Sequence, residues 1–538
     1  MRRWNGWGDE ANDFPLKPEA QKFLLQQIGA AAALEDAALA DVINRVPPSR
    51  LPDHPLITRE AEPRVRHARG QSLPDWLAMR SGHMEPFPDA VAFPENNAEV
   101  QALLQFAATH NAELITYGGG SSVVGHINPR RSERPTLTVS MVNFNRLLHL
   151  DKTSNLATFG AGAPGPLIES QLQAQGFTLG HFPQSWELST LGGWVASRSS
   201  GQQSLRYGRI EQLLAGATVE TTRGTLHIPT TPASSAGTDL REILLGSEGR
   251  MGIITDATVK VSPLPETERF YGVFFPDWDT GVTAVRALAQ QRVPLSMMRL
   301  SNCGETRTQL KLAGHPTAVA ALERYLRIRG AGQDKCLFTF GVTGNKDFCR
   351  ATLIQTNRII KQHDGINTGT LLGKKWQENR FRSPYLRHGL WNLGYAVDTV
   401  ETAVDWARVP ATVEAIENAI HHTLKMAGEK ILVFTHLSHV YQQGSSIYTT
   451  YVFRCARNYP ETLDRWRRMK QAASQAIVKN GGTISHQHGV GTDHLPYLKA
   501  EKGELGMATI DALCRHFDPQ GIMNPGKLVP EEDKHESH

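Results

Sequence analysis

Three glycine-rich loops between residues 118 and 254 constrain the fold of this 538-residue chain more than any other feature. The first, Gly118-Gly-Gly-Ser-Ser122, follows the strand pattern Glu113-Leu-Ile-Thr-Tyr117. A strand followed by glycines and small hydroxyls is a phosphate-binding arrangement. Its exposed backbone N–H groups form a nest for anionic oxygens, and the missing side chains let a ligand approach. The second runs from Gly180 to Trp194 and on through Ser197-Arg-Ser-Ser-Gly201, and the third is Gly246-Ser-Glu-Gly-Arg-Met-Gly-Ile-Ile254. None is a Walker A loop or a G-x-G-x-x-G turn. Any one alone reads equally as a tight turn. Together, alternating with strands and short helices, they predict one α+β domain around a long, phosphate-bearing cofactor.

A second cluster lies near the C-terminus, in Thr483-Ile-Ser-His-Gln-His-Gly-Val-Gly491. It follows a helical pattern that ends at Lys479 and a glycine stop at Gly481-Gly482. On an extended segment side chains two apart share a side, so His486 and His488 are expected to face one cavity as an acid/base pair. With 21 histidines in the chain, such a pair also arises as ordinary structure. Between the clusters, Pro294-Leu-Ser-Met-Met-Arg-Leu300 sets Arg299 on an apolar strand, and Pro384-Tyr-Leu-Arg-His388 offers Arg387. A guanidinium fork suits a phosphate or carboxylate, and a structural ion pair is the alternative for each.

The bulk composition excludes several classes. A net charge of +4 with no basic block beyond pairs such as Arg130-Arg131 gives no footprint for nucleic acid. Five cysteines without metal-site spacing suit free thiols in a reducing compartment. The first residues lack an apolar signal region and no stretch reaches 18 apolar residues, so the expected location is cytoplasmic. Residues 1–85 read as an N-terminal helical extension: an aromatic turn at Trp4-Asn-Gly-Trp-Gly8, then an Ala/Leu-rich helix from Pro18 to Val46, stopped by Pro47-Pro48. Its apolar face offers a packing surface or a peripheral membrane contact.

The order Gly-Gly-Gly-Ser-Ser, Pro-x-Ser-x-x-x-Ser-Thr-x-Gly-Gly, Gly-Ser-Glu-Gly-x-x-Gly and Asn524-Pro-Gly-Lys527 resembles FAD flavoproteins of the vanillyl-alcohol oxidase / p-cresol methylhydroxylase superfamily, over roughly residues 85–528. The resemblance implies a two-subdomain FAD-binding domain at 86–265 and an antiparallel-sheet cap domain at 266–478. A C-terminal segment, 479–538, then returns to the FAD domain. It assigns FAD contacts to Thr116, Tyr117, Gly118, Gly119, Gly120, Ser121 and Ser122, and to Gln184, Ser185, Trp186, Glu187, Leu188, Ser189 and Thr190. The remaining contacts fall on Ser197, Arg198, Ser199 and Ser200, and on Glu248, Gly249, Arg250, Met251, Gly252, Ile253 and Ile254. Some members link FAD covalently through a histidine beside the first loop. Here Ser121 and Ser122 occupy it and the nearest histidine is His126, so FAD is expected to be non-covalent.

Within that superfamily the D-2-hydroxy-acid dehydrogenases carry metal-binding histidines in the cap and a Glu-His-Gly in the C-terminal run. This sequence has His439-Val-Tyr-Gln-Gln-Gly-Ser-Ser-Ile-Tyr448 and Gln487-His488-Gly489 instead, so no metal is expected. The chain is more similar to the alkyldihydroxyacetonephosphate (alkylglycerone phosphate) synthases. The similarity rests on Trp4–Gly8, Gly180-His-x-Pro-x-Ser-x-Glu-x-Ser-Thr-x-Gly-Gly-Trp-Val195, Asp398-Thr-Val-Glu-Thr402 with Trp406, and Ser485–Gly491.

That resemblance makes Tyr448 the acid/base, with its proton affinity lowered by nearby cations or the flavin. Arg387 becomes the substrate-phosphate ligand, Arg299 a second essential arginine, and His486 and His488 the groups that activate an alcohol. The implied reaction belongs to ether-lipid synthesis. It exchanges the acyl chain of acyl-dihydroxyacetone phosphate for a long-chain alcohol through a flavin N5 adduct, with no net redox change. The family's middle histidine is Gln487 here, which hydrogen-bonds but takes no proton at neutral pH. The alternative is an FAD dehydrogenase or oxidase of a 2-hydroxy acid or polyol. A homodimer is also implied. Peroxisomal location is not, because the chain ends Glu536-Ser-His538 and lacks a Ser-Lys-Leu-type tail.

Overall fold

The computed structural model describes residues 1–312 and 316–530, so the tail that bears on targeting lies outside the described residues. It is a mixed helix and sheet structure of the expected α+β class. The first glycine loop leaves a four-stranded sheet ordered Ile57–Thr58, Ala90–Ala92, Thr136–Ser140, Glu113–Tyr117. The last three strands are mutually parallel, with helix Asn97–Thr109 crossing over and capped by the Asn96 side chain on the Glu99 N–H. Parallel strands need such a crossover and are buried on both faces, which matches the wholly buried Ala90–Ala92 and Thr136–Ser140.

A second, antiparallel sheet is ordered Leu147–Asp151, Leu156–Gly160, Ile253–Lys260, Leu214–Thr221, Gly224–Ile228. Helix Leu191–Ser197, which carries the second glycine loop, packs its Leu191, Trp194 and Val195 into that sheet's core. The chain's end returns to the first sheet. The Leu114 N–H donates to the Ile522 carbonyl and the Asn524 N–H to the Leu114 carbonyl, each at 2.8 Å.

The third sheet has seven strands in the order Ile366–Asn367, Thr267–Phe275, Cys336–Gly344, Met297–Ser301, Leu432–Val440, Gly444–Arg454, Tyr395–Asp405, all antiparallel. Cys336–Gly344 is buried along its whole length, carrying Phe338 and Phe340 through the core. Helices Val409–Thr423 and Tyr459–Lys479 pack together beside this sheet and contribute Ile416, Ile420, Trp466 and Met469 to the same core.

One expected helix, from Pro18 to Val46, is interrupted. The helix from Pro18 stops at Ile28, residues 29–38 are irregular, and only Leu39–Ile43 is helical again. Alanine favours helix by a few tenths of a kcal/mol per residue, and here tertiary hydrogen bonds override it. Gly29 turns at φ +87°, and the carbonyls of Gly29, Ala30 and Glu35 accept from Tyr395, Arg454 and Tyr459.

Candidate active site

Strand register assembles the centre. Tyr448 sits directly between Glu401 and His436 on the neighbouring strands, and Arg299 lies two residues before Ser301, the partner of His436. Since facing residues in a sheet share a side, these groups crowd one patch. The Tyr448 ring stacks on His436 at 4.9 Å and meets His488 edge-on at 5.9 Å. Arg299 forms an ion pair with Glu305 at 2.5 Å and reaches His436 Nδ1 at 3.1 Å, while Glu305 approaches the same Nδ1 at 3.2 Å. Burial pushes the Glu305 carboxyl up, but Arg299 and His436 outweigh it and hold the acid ionised.

His488 is delivered from the opposite side by the C-terminal loop. One oxygen of Glu401 accepts the backbone N–H groups of Gln487 (2.7 Å) and His488 (2.8 Å) and lies 3.3 Å from His488 Nδ1. An imidazole whose Nδ1 faces a carboxylate presents Nε2 as its basic nitrogen. Burial lowers the proton affinity of His488 and Glu401 opposes that shift.

Arg387 completes the patch. Helix Leu386–Trp391 carries it over the Trp76 ring at 4.5 Å, and its Nη1 donates to the Gln71 carbonyl at 2.5 Å. Its Nη2 is buried without a partner. A buried N–H left unpaired is costly, so this one is suited to an anionic oxygen.

Arg299, Glu305, Arg387, His436, Tyr448 and His488 line one cavity of about 1080 Å³. Its lining includes the glycine loops and an apolar set, Phe14, Leu16, Phe23, Leu24, Leu432 and Val452, of which Leu16, Leu24, Leu432 and Val452 pack in one cluster. The cavity exceeds the usual ~300–1,000 Å³ of a small-molecule site, leaving room for a dinucleotide and an apolar chain together.

Comparison with known proteins agrees with this geometry. Residues 88–228 match the model for the FAD binding domain and residues 264–528 that for the C-terminal domain of FAD linked oxidases. The alkyldihydroxyacetonephosphate synthase of Dictyostelium discoideum is 31% identical, covering 98% of this chain and 93% of its own length. The chain belongs to the alkyldihydroxyacetonephosphate synthase family. The Trypanosoma brucei brucei synthase is 29% identical over 98% of this chain and 92% of its own. A solved alkyldihydroxyacetonephosphate synthase structure superposes with a TM-score of 0.84 at 27% identity, covering 97% of both chains. The chain is therefore an FAD-dependent enzyme of the synthase type.

The residues present fit FAD. A Cβ on Gly119 would lie 1.6 Å from the Leu188 carbonyl oxygen, so only glycine lets the first two loops close into one cradle. Thr116 Oγ1 and Asn524 Oδ1, both on cavity-lining residues, are buried without partners. Glu248 staples the cradle together: its carboxylate accepts from His126 Nε2 at 3.0 Å and from the Val490 and Gly491 N–H groups, and its carbonyl from Asn524 at 2.7 Å. Burial raises this carboxyl, but His126 and the two N–H groups prevail and keep it below the usual range.

Of the residues assigned to FAD from sequence, Thr116, Gly118–Ser122, Gln184, Ser185, Ser189, Thr190, Ser197, Ser199, Ser200, Glu248, Gly249, Gly252 and Ile254 line the cavity. Eight do not line it and serve the scaffold around it. The Tyr117 hydroxyl donates to the Arg66 carbonyl, Trp186 stacks on Phe381 at 4.6 Å, and Glu187 accepts from Tyr385. The Leu188 carbonyl abuts Gly119, Arg198 pairs with Glu242, and Met251 and Ile253 are core. Arg250 sits next to Cys514.

Two mechanistic expectations are also corrected. His486 does not face the cavity beside His488. The loop bends instead of running extended, and His486 packs against Arg209, Tyr441 and His439 while Gln487 and His488 line the cavity. Nor do the nearby cations lower the proton affinity of Tyr448: within the protein burial raises it, with the Thr399 hydrogen bond and Arg299 only partly opposing. His436, Glu305 and Arg209 were missed in the sequence. His436 is signalled only by strand register, and Glu305, on helix Cys303–Leu312, and Arg209 by no motif.

Proposed function

We propose that this enzyme exchanges the acyl chain of an acyl-dihydroxyacetone phosphate for a long-chain alcohol, a step of ether-lipid synthesis. The observation that carries this reading is the convergence of Arg387, Tyr448 and His488 on one cavity that is also lined by the apolar side chains Phe14, Leu16, Phe23, Leu24, Leu432 and Val452. Arg387 binds the phosphate through its unpaired Nη2 and fixes the reacting carbon near Tyr448. The Tyr448 hydroxyl hydrogen-bonds the substrate and passes protons at that carbon, with His436 stacked behind it. His488, oriented by Glu401, takes the proton of the incoming alcohol through Nε2. Arg299, paired with Glu305 through Nη2, sets the field of the patch, and its Nε is buried without a partner. Bound in the glycine cradle, FAD supplies the electrophilic centre of the exchange and ends in its starting oxidation state.

FAD is held without a covalent link. In support, both ring nitrogens of His126, the histidine nearest the first loop, are engaged, by Ser122 at 2.9 Å and Glu248 at 3.0 Å. The enzyme works as a cytoplasmic homodimer that touches a lipid surface. Family membership supports the dimer. For the lipid contact, helix Pro18–Ile28 buries Phe23 and Leu24 at the cavity while exposing Lys22 and Leu25. Among the described residues no helix is long and apolar enough to cross a membrane.

The test supplies acyl-dihydroxyacetone phosphate and labelled hexadecanol to the FAD-loaded protein, anaerobically and without an electron acceptor. Label is expected in the alkali-stable lipid fraction, lost by about 10²–10⁴-fold in Tyr448→Phe, the usual worth of a positioned proton-transfer group. Absence of label, with flavin bleaching by D-2-hydroxy acids, would overturn the synthase reading in favour of a dehydrogenase.

A further inference from the structure

The Arg209 guanidinium is buried, and all five of its N–H donors are used. Nε donates to Glu211 at 2.6 Å, Nη1 to the Tyr441 hydroxyl at 3.0 Å and to His486 Nε2 at 2.7 Å, and Nη2 to the carbonyls of Arg198 at 3.2 Å and His486 at 2.9 Å. Arginine only donates and does not lose its proton in proteins, so His486 Nε2 must be the acceptor. The Tyr441 hydroxyl, 2.6 Å from the same nitrogen and already accepting from Arg209, has its own hydrogen free for that lone pair. The ring hydrogen of His486 is then on Nδ1.

From this we infer that Arg209 is a positioning residue that locks His486 as its neutral Nδ1–H tautomer and clamps the loop that presents His488. His486 is thereby removed from proton transfer, since Nε2 is occupied and Nδ1 already carries hydrogen. The clamp has two jaws. Arg209, beside the second glycine loop, holds the His486 carbonyl, while Glu401, from the seven-stranded sheet, holds the next two N–H groups of the same turn. Neither jaw lies within the loop, so its geometry depends on both halves of the molecule. The charged and titratable groups facing His486 are Arg209, with Glu211 behind it, Tyr441, His439 and His488. Burial, then Arg209, then the two histidines all act to keep His486 unprotonated.

The tautomer assignment is independent of the substrate, whereas the role of the loop rests on the synthase reading. The experiment labels the full-length FAD-loaded protein with ¹⁵N-imidazole histidine and assigns His486 by its loss in His486→Gln. The expected signals are a protonated Nδ1 and an unprotonated Nε2, unchanged between about pH 5 and 8, where free histidine titrates. In Tyr441→Phe the same tautomer should persist, because Arg209 still donates. In Arg209→Gln, His486 should begin to titrate. In Arg209→Lys, kcat for label transfer should fall about 10²-fold with little change in KM, as for a displaced catalytic group. A His486 that titrates in the wild type, or an Nε2–H in either the wild type or Tyr441→Phe, overturns the assignment even if Arg209→Gln fails to fold. An Arg209→Lys protein with unchanged kcat overturns the loop-setting role alone. Failure of label transfer in the wild type bears on the synthase reading and leaves the tautomer result standing.

Discussion

At the scale of single residues, a carboxylate just past the histidine loop gives a clean test of the buried electrostatics. Asp493 is half-buried as a residue, yet its Oδ2 is shut off from solvent without a hydrogen-bond partner. Burial raises its pKa to about 6, with Lys470 opposing and Asp75 and Asp398 adding repulsion. The folded carboxyl therefore holds its proton more tightly than the unfolded one, whose pKa is near 3.8. The stability this provides is fully present below about pH 4 and disappears as pH rises through about 6. Asp493→Asn, which keeps the shape and removes the charge, should stabilise the protein by about 1–3 kcal/mol at pH 7.5 and hardly at all at pH 4. Denaturant unfolding at the two pH values measures this, and an equal effect at both would refute it. Arg299 was readable from sequence as a lone cation on an apolar strand, whereas Tyr448, on a strand rich in serine and threonine, was reached only through the family resemblance. The environment of Tyr448 was not readable, because whether cations or burial governs its proton depends on strand neighbours that sequence spacing does not supply.

At the scale of elements, the glycine loops were legible because their chemistry is local. A strand that ends in small residues can do little except turn and expose N–H groups, and Glu113–Tyr117 ends at the first loop as expected. The Ala-rich stretch 29–38 was misread for the converse reason. Its conformation is set by Tyr395, Arg454 and Tyr459, all more than 350 positions away. The histidine run was misread in the same way, because the clamp that bends it comes from residues 209 and 401. The first loop itself yields a direct prediction. Gly119→Ala would drive a methyl group into the Leu188 carbonyl, which is backbone and cannot step aside as a side chain would. Overpacking of this kind costs about 1–3 kcal/mol, and here it falls between the two loops that form the cradle. Gly119→Ala should purify folded but with at least about tenfold weaker FAD retention, read from the flavin-to-protein absorbance ratio during dialysis. Full retention would mean that the loops need not close on each other to hold the cofactor.

At the scale of the whole molecule, the first eight residues connect the cofactor loop to the helix that bears Arg387. Arg2 donates to the Gly119 carbonyl of the cofactor loop at 2.6 Å, and Gln71, whose own carbonyl holds Arg387, donates to the Gly6 carbonyl at 3.2 Å. Trp7 lines the cavity and packs its backbone on His388, the residue after Arg387. Arg80 donates to His388 Nδ1 at 2.9 Å, and His388 Nε2 lies 3.1 Å from the Trp7 backbone nitrogen and 3.2 Å from the Trp7 carbonyl, so the ring is held between helix and arm. The arm is thus a brace for the helix that bears Arg387, which its sequence, an aromatic turn with no catalytic residue type, did not reveal. Gly6 is where the brace is thinnest. A Cβ there would lie 2.4 Å from His388 Cε1, and the ring cannot yield freely because Arg80 holds one side and Trp76 packs on it at 4.7 Å. Gly6→Ala must lift the arm or turn His388, and either motion shifts Arg387 without touching the glycine cradle, Tyr448 or His488. The expected result is a KM for the phosphate-bearing substrate raised about tenfold, with kcat and FAD content near those of the wild type, because the lost interaction is equally present before and during the chemical step. A lowered Tm with unchanged KM would make the arm a stabilising element alone, and a fall in kcat at constant KM would place its influence on the reacting groups and not on the anion site.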